Sequence, residues 1–130
     1  MKPITLEWLS KAEGDYAVVE RECRVKKHRN NDAVCFHAQQ CAEKYFKARL
    51  SEAGIIFPKI HDLTILLNMV QKLEPLWEAH RRDMAFLTDF AVKYRYPGES
   101  ADKETALAAR NMCKFFRKTV RTSMNLRGKQ

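Results

Sequence analysis

The sequence predicts an all-α fold, an antiparallel up-and-down bundle of four to five helices. Three observations predict it. Apolar residues recur at three- and four-residue steps through nearly the whole chain, the period that lines side chains along one helix face. No segment reads as a strand, and four Gly and four Pro are too few for a turn-dense all-β sandwich. The length of 130 residues supports one core and not two of ordinary size. Residues 1–130 therefore read as a single domain whose short links join antiparallel neighbours.

In the first helix Leu9, Ala12, Tyr16, Val19 and Cys23 share a face. Thr5 stands just before Leu6 as the expected N-cap, and Glu7, Glu13 and Asp15 weight the N-terminal half with the charge that end favours. Lys26-Lys27-His28-Arg29-Asn30-Asn31 breaks the pattern. Asn30-Asn31-Asp32 is turn chemistry, and Asp32 is the expected cap of the second helix. That helix is expected from about Ala33 to Ala53. Its stripe is Val34, Ala38, Cys41, Tyr45 and Ala48, flanked by Phe46 and Leu50, and Gly54 is the residue that ends it.

Ile55-Ile56-Phe57-Pro58 is a short apolar link, since Pro58 disfavours helix at Phe57. A third helix starts around Asp62, capped by His61 or Asp62, and turns Leu63, Leu66, Leu67 and Val70 inward with Met69 beside them. Glu74-Pro75 ends it or opens the next. A fourth helix is expected from about Leu76 to Val92, repeating Trp77, His80, Met84, Leu87 and Ala91. Tyr94-Arg95-Tyr96-Pro97-Gly98 is a loop. Ser100 or Asp102 caps the last helix, which carries Leu107, Ala109, Met112, Cys113, Phe116 and Val120, and the tail 125–130 is expected to fray.

Twenty-four Lys and Arg against sixteen Asp and Glu give a formal charge of +8. The excess gathers in two places. One is Arg21, Arg24, Lys26, Lys27 and Arg29; the other runs without an acid from Arg110 to the end, through Lys114, Arg117, Lys118, Arg121, Arg127 and Lys129. A solvated surface and a nucleic-acid or phosphate-rich partner both fit such a pattern. The aromatic interleaving that base stacking uses is weak, so bound RNA would be held through its backbone. No apolar run approaches the roughly 18–20 residues of a membrane span, and the start lacks a secretory apolar region. The four cysteines form no CxxC pair. These features point to a cytoplasmic protein with reduced, buried thiols and no membrane contact.

Gln40, Glu43, Lys44 and Lys47 form a polar strip on the second helix, either a solvated face or the lining of a cleft for nucleotide or RNA. His37 and Cys41 lie one turn apart, but no second ligand pair matches them, and no metal or cofactor is expected. His61-Asp62 is either a cap or a histidine oriented for acid–base work. Arg95 is a planar fork suited to phosphate or to an interior carboxylate. No GxSxG, P-loop or HExxH motif is present.

Four segments then carry a resemblance. Trp8 to Tyr16 resembles the "W-x-x-x-A-x-x-D" opening of HEPN domains. Phe36 to Ala48 is similar to that family's "QQ-x-x-EK-x-x-KA" segment, Lys59-Ile60-His61-Asp62-Leu63 to its "THDL", with Ile60 where Thr is usual, and Arg95-Tyr96-Pro97-Gly98 to its "RYP" turn. They come in family order over nearly the whole chain. The resemblance implies an antiparallel helical bundle, a homodimer, and in prokaryotic members a minimal nucleotidyltransferase partner in toxin–antitoxin-like pairs. Active members are metal-independent endoribonucleases with an Arg followed after four to six residues by His. Here Arg95 is followed by Tyr96-Pro97-Gly98-Glu99-Ser100-Ala101-Asp102 without a His. Arg21 and His28 match the bare spacing away from the family's site, a chance match. The resemblance thus implies a module binding nucleotide or RNA through Gln40, Glu43, Lys47, His61, Arg95 and Tyr96, with Arg95 and His61 the catalytic candidates if RNA is cleaved. A structural helical module binding an acidic protein is the further alternative.

Overall fold

Pro3 opens the first helix. In the computed structural model, which describes residues 1–126, α1 runs Pro3–Cys23 with the proline in its first turn, where a missing N–H costs nothing and the ring's φ suits a helix. Thr5, the expected cap, is therefore inside the helix. Its buried hydroxyl donates to Glu52 Oε1 at 2.8 Å, and the same oxygen accepts the Lys2 backbone N–H at 3.1 Å. A carboxylate from the end of the next helix does what Thr5 was expected to do.

α2 runs Asn31–Glu52, starting earlier than expected because Asn30, not Asp32, caps it: Asn30 Oδ1 accepts from Ala33 N at 3.0 Å. Asp32 instead accepts the Ala101 N–H at 2.7 Å and ties the lead-in of the last helix to the start of α2. Gly54 stops α2 as expected. It adopts φ +72°, and the Ile55 N–H returns to Leu50 O at 2.9 Å. α3, Leu63–Val70, is capped by Asp62, whose Oδ1 accepts Thr64 N at 2.9 Å and Thr64 Oγ1 at 2.6 Å.

The expected fourth helix is divided. Pro75–His80 and Asp89–Ala91 are 3-10 turns on either side of α4, Arg81–Thr88. Trp77 and His80 both enter the core, and a three-residue turn places i and i+3 in line. At the other end Thr88 Oγ1 donates to Met84 O at 2.8 Å while accepting the Leu63 N–H at 3.0 Å, a back-bond of the kind that bends helices. α5, Lys103–Ser123, is capped by Asp102 through Thr105 N at 2.7 Å. Ala106, Ala109, Cys113, Phe116 and Val120 line its inner face, while Leu107 and Met112 are only half-buried. Leu126 N–H bonds to Arg121 O at 2.8 Å across Asn125. Residues 127–130 of the expected frayed tail lie outside the described residues.

α2 is the central element and packs on α1, α3, α4 and α5. Contacts Thr5–Glu52 and Asp15–Lys44 show that α1 and α2 are antiparallel. Glu20–Arg110 and Glu13–Arg117 show the same for α1 and α5. Between α2 and α3 the chain runs back along α2, so that His61 O meets Gln39 Nε2 at 2.9 Å before α3 sets off toward the Arg49–Glu74 contact at 2.6 Å. Counting that return segment, the chain alternates in direction throughout.

Tyr45, Phe46, Trp77 and Phe116 interlock at the centre, with Phe46–Phe116 centroids 4.8 Å apart and Trp77–Phe116 at 5.4 Å. Full burial of each phenylalanine contributes about 1.5–3 kcal/mol. Trp77 Nε1 donates to Ser123 Oγ at 2.8 Å, which satisfies the one polar group of that ring. All four thiols are free, three of them buried, and burial pushes the Cys35 thiol up to about 12. Among the described residues the chain has no strand and no helix long and apolar enough to cross a membrane.

Candidate functional site

Two carboxylates, each held by a lysine and a histidine, lie along α2, one on the helix itself and one reaching it from α1. The first is Glu43, 3% exposed. Its Oε1 accepts Gln39 Nε2 at 3.0 Å and the His61 Nδ1–H at 2.8 Å, and its Oε2 accepts Lys47 Nζ at 2.8 Å. Gln40 Nε2 donates in turn to Gln39 Oε1 at 2.7 Å. Lys47, 8% exposed, lies between two rings, 5.4 Å from the Trp8 centroid and 5.8 Å from that of Phe57. Burial pushes the Glu43 carboxyl up, but the donors Lys47, Gln39 and His61 outweigh it and hold the group below its usual range.

Half of the polar strip predicted on α2 is therefore packed inside, while Gln40 and Lys44 are half-buried. Glu43 and Lys47 are a buried pair, and Gln39, Trp8 and Phe57 complete a network that local spacing did not announce. The period of three and four residues does find Gln40, Glu43 and Lys47 on one side of the helix; it does not say which side faces the return segment. His61 is exposed, with Nδ1 committed to Glu43 and Nε2 the remaining ring nitrogen.

The second carboxylate is Asp15 of α1, also buried. Oδ1 meets His37 Nδ1 at 2.8 Å and Oδ2 accepts Lys44 Nζ at 2.6 Å. An ionised carboxylate only accepts, so Nδ1 carries the proton and Nε2 is left as the free nitrogen. His37 is thus not a partner of Cys41, which is a free thiol and fully buried. Among the described residues no group of three or more His, Cys, Asp or Glu gathers as a metal site would require.

His37 lines a groove of about 330 Å³ with Arg95. One wall is the first turn of α2 at Asn30, Asp32 and Ala33; the other is Phe90, Tyr94 and Arg95, with Phe36 between them. Phe90 and Tyr94 stack at 5.6 Å. Arg95 is exposed and forms no ion pair among the described residues, so the interior carboxylate considered for it is absent there. Tyr96 is 69% exposed and does not line the groove. The predicted site residues thus fall into separate places: Gln40, Glu43, Lys47 and His61 in the first network, Arg95 in the groove, and Tyr96 at the loop surface.

The two basic clusters are also resolved. Arg117 donates Nε and Nη2 to the Glu13 carboxylate at 3.0 and 2.8 Å, with Arg121 at 3.7 Å from the same group, and Arg110 donates to Glu20 at 2.7 and 3.1 Å. Tyr45 also donates to Glu13. Acids of α1 thus pair with Arg110, Arg117 and Arg121 in the acid-free part of α5. Burial raises the Cys23 thiol, and the charges of Arg29 and Arg110 offset this in part. Arg29 Nη2 donates to Cys23 O at 3.1 Å and closes the end of α1, leaving Lys26 and Lys27 in the loop before α2.

No curated protein and no solved structure matches this chain. A family model of the HEPN domain matches residues 5–123, and the chain belongs to the HEPN domain family.

Proposed function

We propose that this protein is a HEPN module that binds the phosphate of a nucleotide or RNA in the Arg95 groove, and that it works as a cytoplasmic homodimer with a minimal nucleotidyltransferase in a toxin–antitoxin-like pair. The observation that carries the binding reading is the shared groove of Arg95 and His37 at the first turn of α2. A guanidinium and an imidazole offer donors to one anion, in a groove that the Asp32 carboxylate also lines. Phe36, Phe90 and Tyr94 supply apolar wall for a sugar or base. The pairing with a nucleotidyltransferase rests on family membership alone.

Binding is measured by anisotropy of a labelled mononucleotide and a labelled short RNA. Arg95→Ala is expected to weaken affinity at least about tenfold, the loss of one charge-assisted bond, and His37→Ala to weaken it as well. Wild type that binds neither probe, or Arg95→Ala that binds as wild type does, refutes the groove. Co-purification with a nucleotidyltransferase encoded beside this gene tests the pairing, and a neighbouring gene of another kind would count against it.

A second reading, a metal-independent endoribonuclease, is favoured by the Asp15–His37 contact. The groove has a histidine that the linear Arg-to-His spacing does not supply. His37 Nε2 would move the proton and Arg95 would stabilise the charge of the phosphorane-like state. RNA cleavage in EDTA that is lost in Arg95→Ala and His37→Ala but kept in His61→Ala supports this assignment. RNA left intact by wild type, or cleaved by all variants, rejects it.

A further inference from the structure

The outer face of α5 brings exposed apolar and basic side chains together. Phe115 is 54% exposed, and Leu76, from the 3-10 turn beside it, is 86% exposed. Two adjoining grooves of about 500 and 440 Å³ share Phe115 and Lys118. Every residue with a permanent charge that lines them is basic. Arg110 and Arg117 are turned to Glu20 and Glu13. Lys114 and Lys118 are exposed and form no ion pair among the described residues.

Phe115 is also held in place from beneath. Its ring lies 4.5 Å from that of His80, which is buried and bonded through Nε2 to Thr119 Oγ1 at 2.8 Å. An aromatic side chain fixed on its inner side and bare on its outer side is pre-organised as an anchor, because little rotamer freedom remains to be lost on binding. Leu76 and Ala79 beside it are aliphatic, and they suit a protein side chain rather than a stacked base.

The geometry points to this face as the docking surface for an acidic, amphipathic segment of a partner protein, with Phe115 and Leu76 receiving its apolar side chains and Lys114 and Lys118 pairing with its carboxylates. A second copy of the chain is the poorer occupant. An isologous contact sets a patch against itself, which here places ammonium groups opposite ammonium groups at a desolvated interface. The face is separate from the Arg95 groove and does not depend on what that groove binds.

The test uses the full chain and two labelled helical peptides, one built from Glu and Leu and one with Lys replacing Glu, followed by anisotropy, with a labelled single-stranded RNA as a third probe. The Glu–Leu peptide is expected to bind and the Lys–Leu peptide not to. Lys114→Glu with Lys118→Glu is expected to weaken the complex at least about tenfold, and added salt to weaken it further. Phe115→Ser and Leu76→Ser are each expected to weaken it about fivefold or more; Leu76 is exposed enough that its variant keeps the fold, checked by helical circular dichroism. The proposal is overturned if the two peptides bind alike, if the charge-reversed variant binds as wild type does, if RNA alone occupies the face, or if sedimentation shows a dimer abolished by Leu76→Ser.

Discussion

Replacing Lys47 with Met separates a structural role for the α2 polar strip from a ligand-binding one. In the folded chain Lys47 Nζ sits 2.8 Å from Glu43 Oε2, and the two residues are 8% and 3% exposed. Methionine keeps the stem that passes between Trp8 and Phe57 but removes the charge. Glu43 is then left buried with Gln39 and His61 as its remaining donors. Removing one partner of a buried pair costs about 3–5 kcal/mol, and the two surviving donors place this case near the low end, at about 3 kcal/mol. For a chain of this size each kcal/mol lowers Tm by roughly 3–5 °C, so the variant is expected to melt about 9–15 °C lower.

Glu43→Gln should cost less, about 1–2 kcal/mol, since the amide oxygen still accepts and Lys47 keeps its two ring faces. The double variant should fall short of the summed costs by at least about 1.5 kcal/mol, because the second substitution removes the group the first left unpaired. The pH dependence has a definite sign. Glu43 is held below its ordinary value of 4.5, so its contribution is fully present above 4.5 and is lost as the pH falls through the lower folded-state value. The deficit of Lys47→Met is therefore largest at neutral pH and shrinks in acid. Thermal melts of the two single variants and the double variant, at neutral and acid pH, read all of this. A Lys47→Met protein that melts within about 3 °C of wild type and yet no longer binds nucleotide or RNA would refute the structural assignment and return Lys47 to the ligand.

Arg117→Ala removes both bonds to Glu13 and the guanidinium 4.4 Å from the Tyr16 ring centroid; because Glu13 is about a third exposed, a loss of about 2 kcal/mol is expected in denaturant titration, between the exposed and buried ranges, with a loss under about 0.5 kcal/mol counting against a stabilising pair. Burial, offset in part by Asp83, holds His80 below its ordinary 6.5, so the unfolded chain takes up a proton first and stability falls as the pH drops below 6.5. Melts across that window are expected to show a shallower slope in His80→Phe than in wild type. In the native protein a thiol reagent should modify Cys23 slowly and leave Cys35, Cys41 and Cys113 untouched until denaturant is added; mass spectrometry counts the adducts.

The long helices were legible because each repeats its apolar residues over about four turns, and the inward faces of α1, α2 and α5 are close to those the period selects. Caps were legible only where the local option was also the tertiary one. Asp62 and Asp102 are such cases. Thr5 and Asp32 obey the same local rule, yet Glu52 takes the first and Ala101 the second, and nothing near them in sequence announces either partner. The site suffered from the same limit. Asp15 and His37 are 22 positions apart, and Glu13 and Arg117 are 104 apart. Both pairs form only when α1 lies antiparallel to its neighbours. A spacing rule of three or four residues finds one face of one helix, while these contacts belong to the seams between helices.

Those seams also decide what the +8 charge means. Lys44, Lys47, Arg110, Arg117 and Arg121 look in the linear sequence like groups available to a polyanion, but Asp15, Glu43, Glu20 and Glu13 hold them within the bundle. A cation that already has a carboxylate partner gives less to an incoming phosphate, since it must break one pair to make another, and most of all where the pair is buried as Lys47–Glu43 is. Arg95 has no such partner among the described residues, and it stands at the groove that Asn30 also lines. Asn30 ends the loop carrying Lys26 and Lys27. Among the cations that the fold leaves exposed are those at the start of α2 and on the outer face of α5. At the first they can draw an anion toward Arg95 and His37; at the second they surround exposed apolar side chains, where a protein partner is the better match.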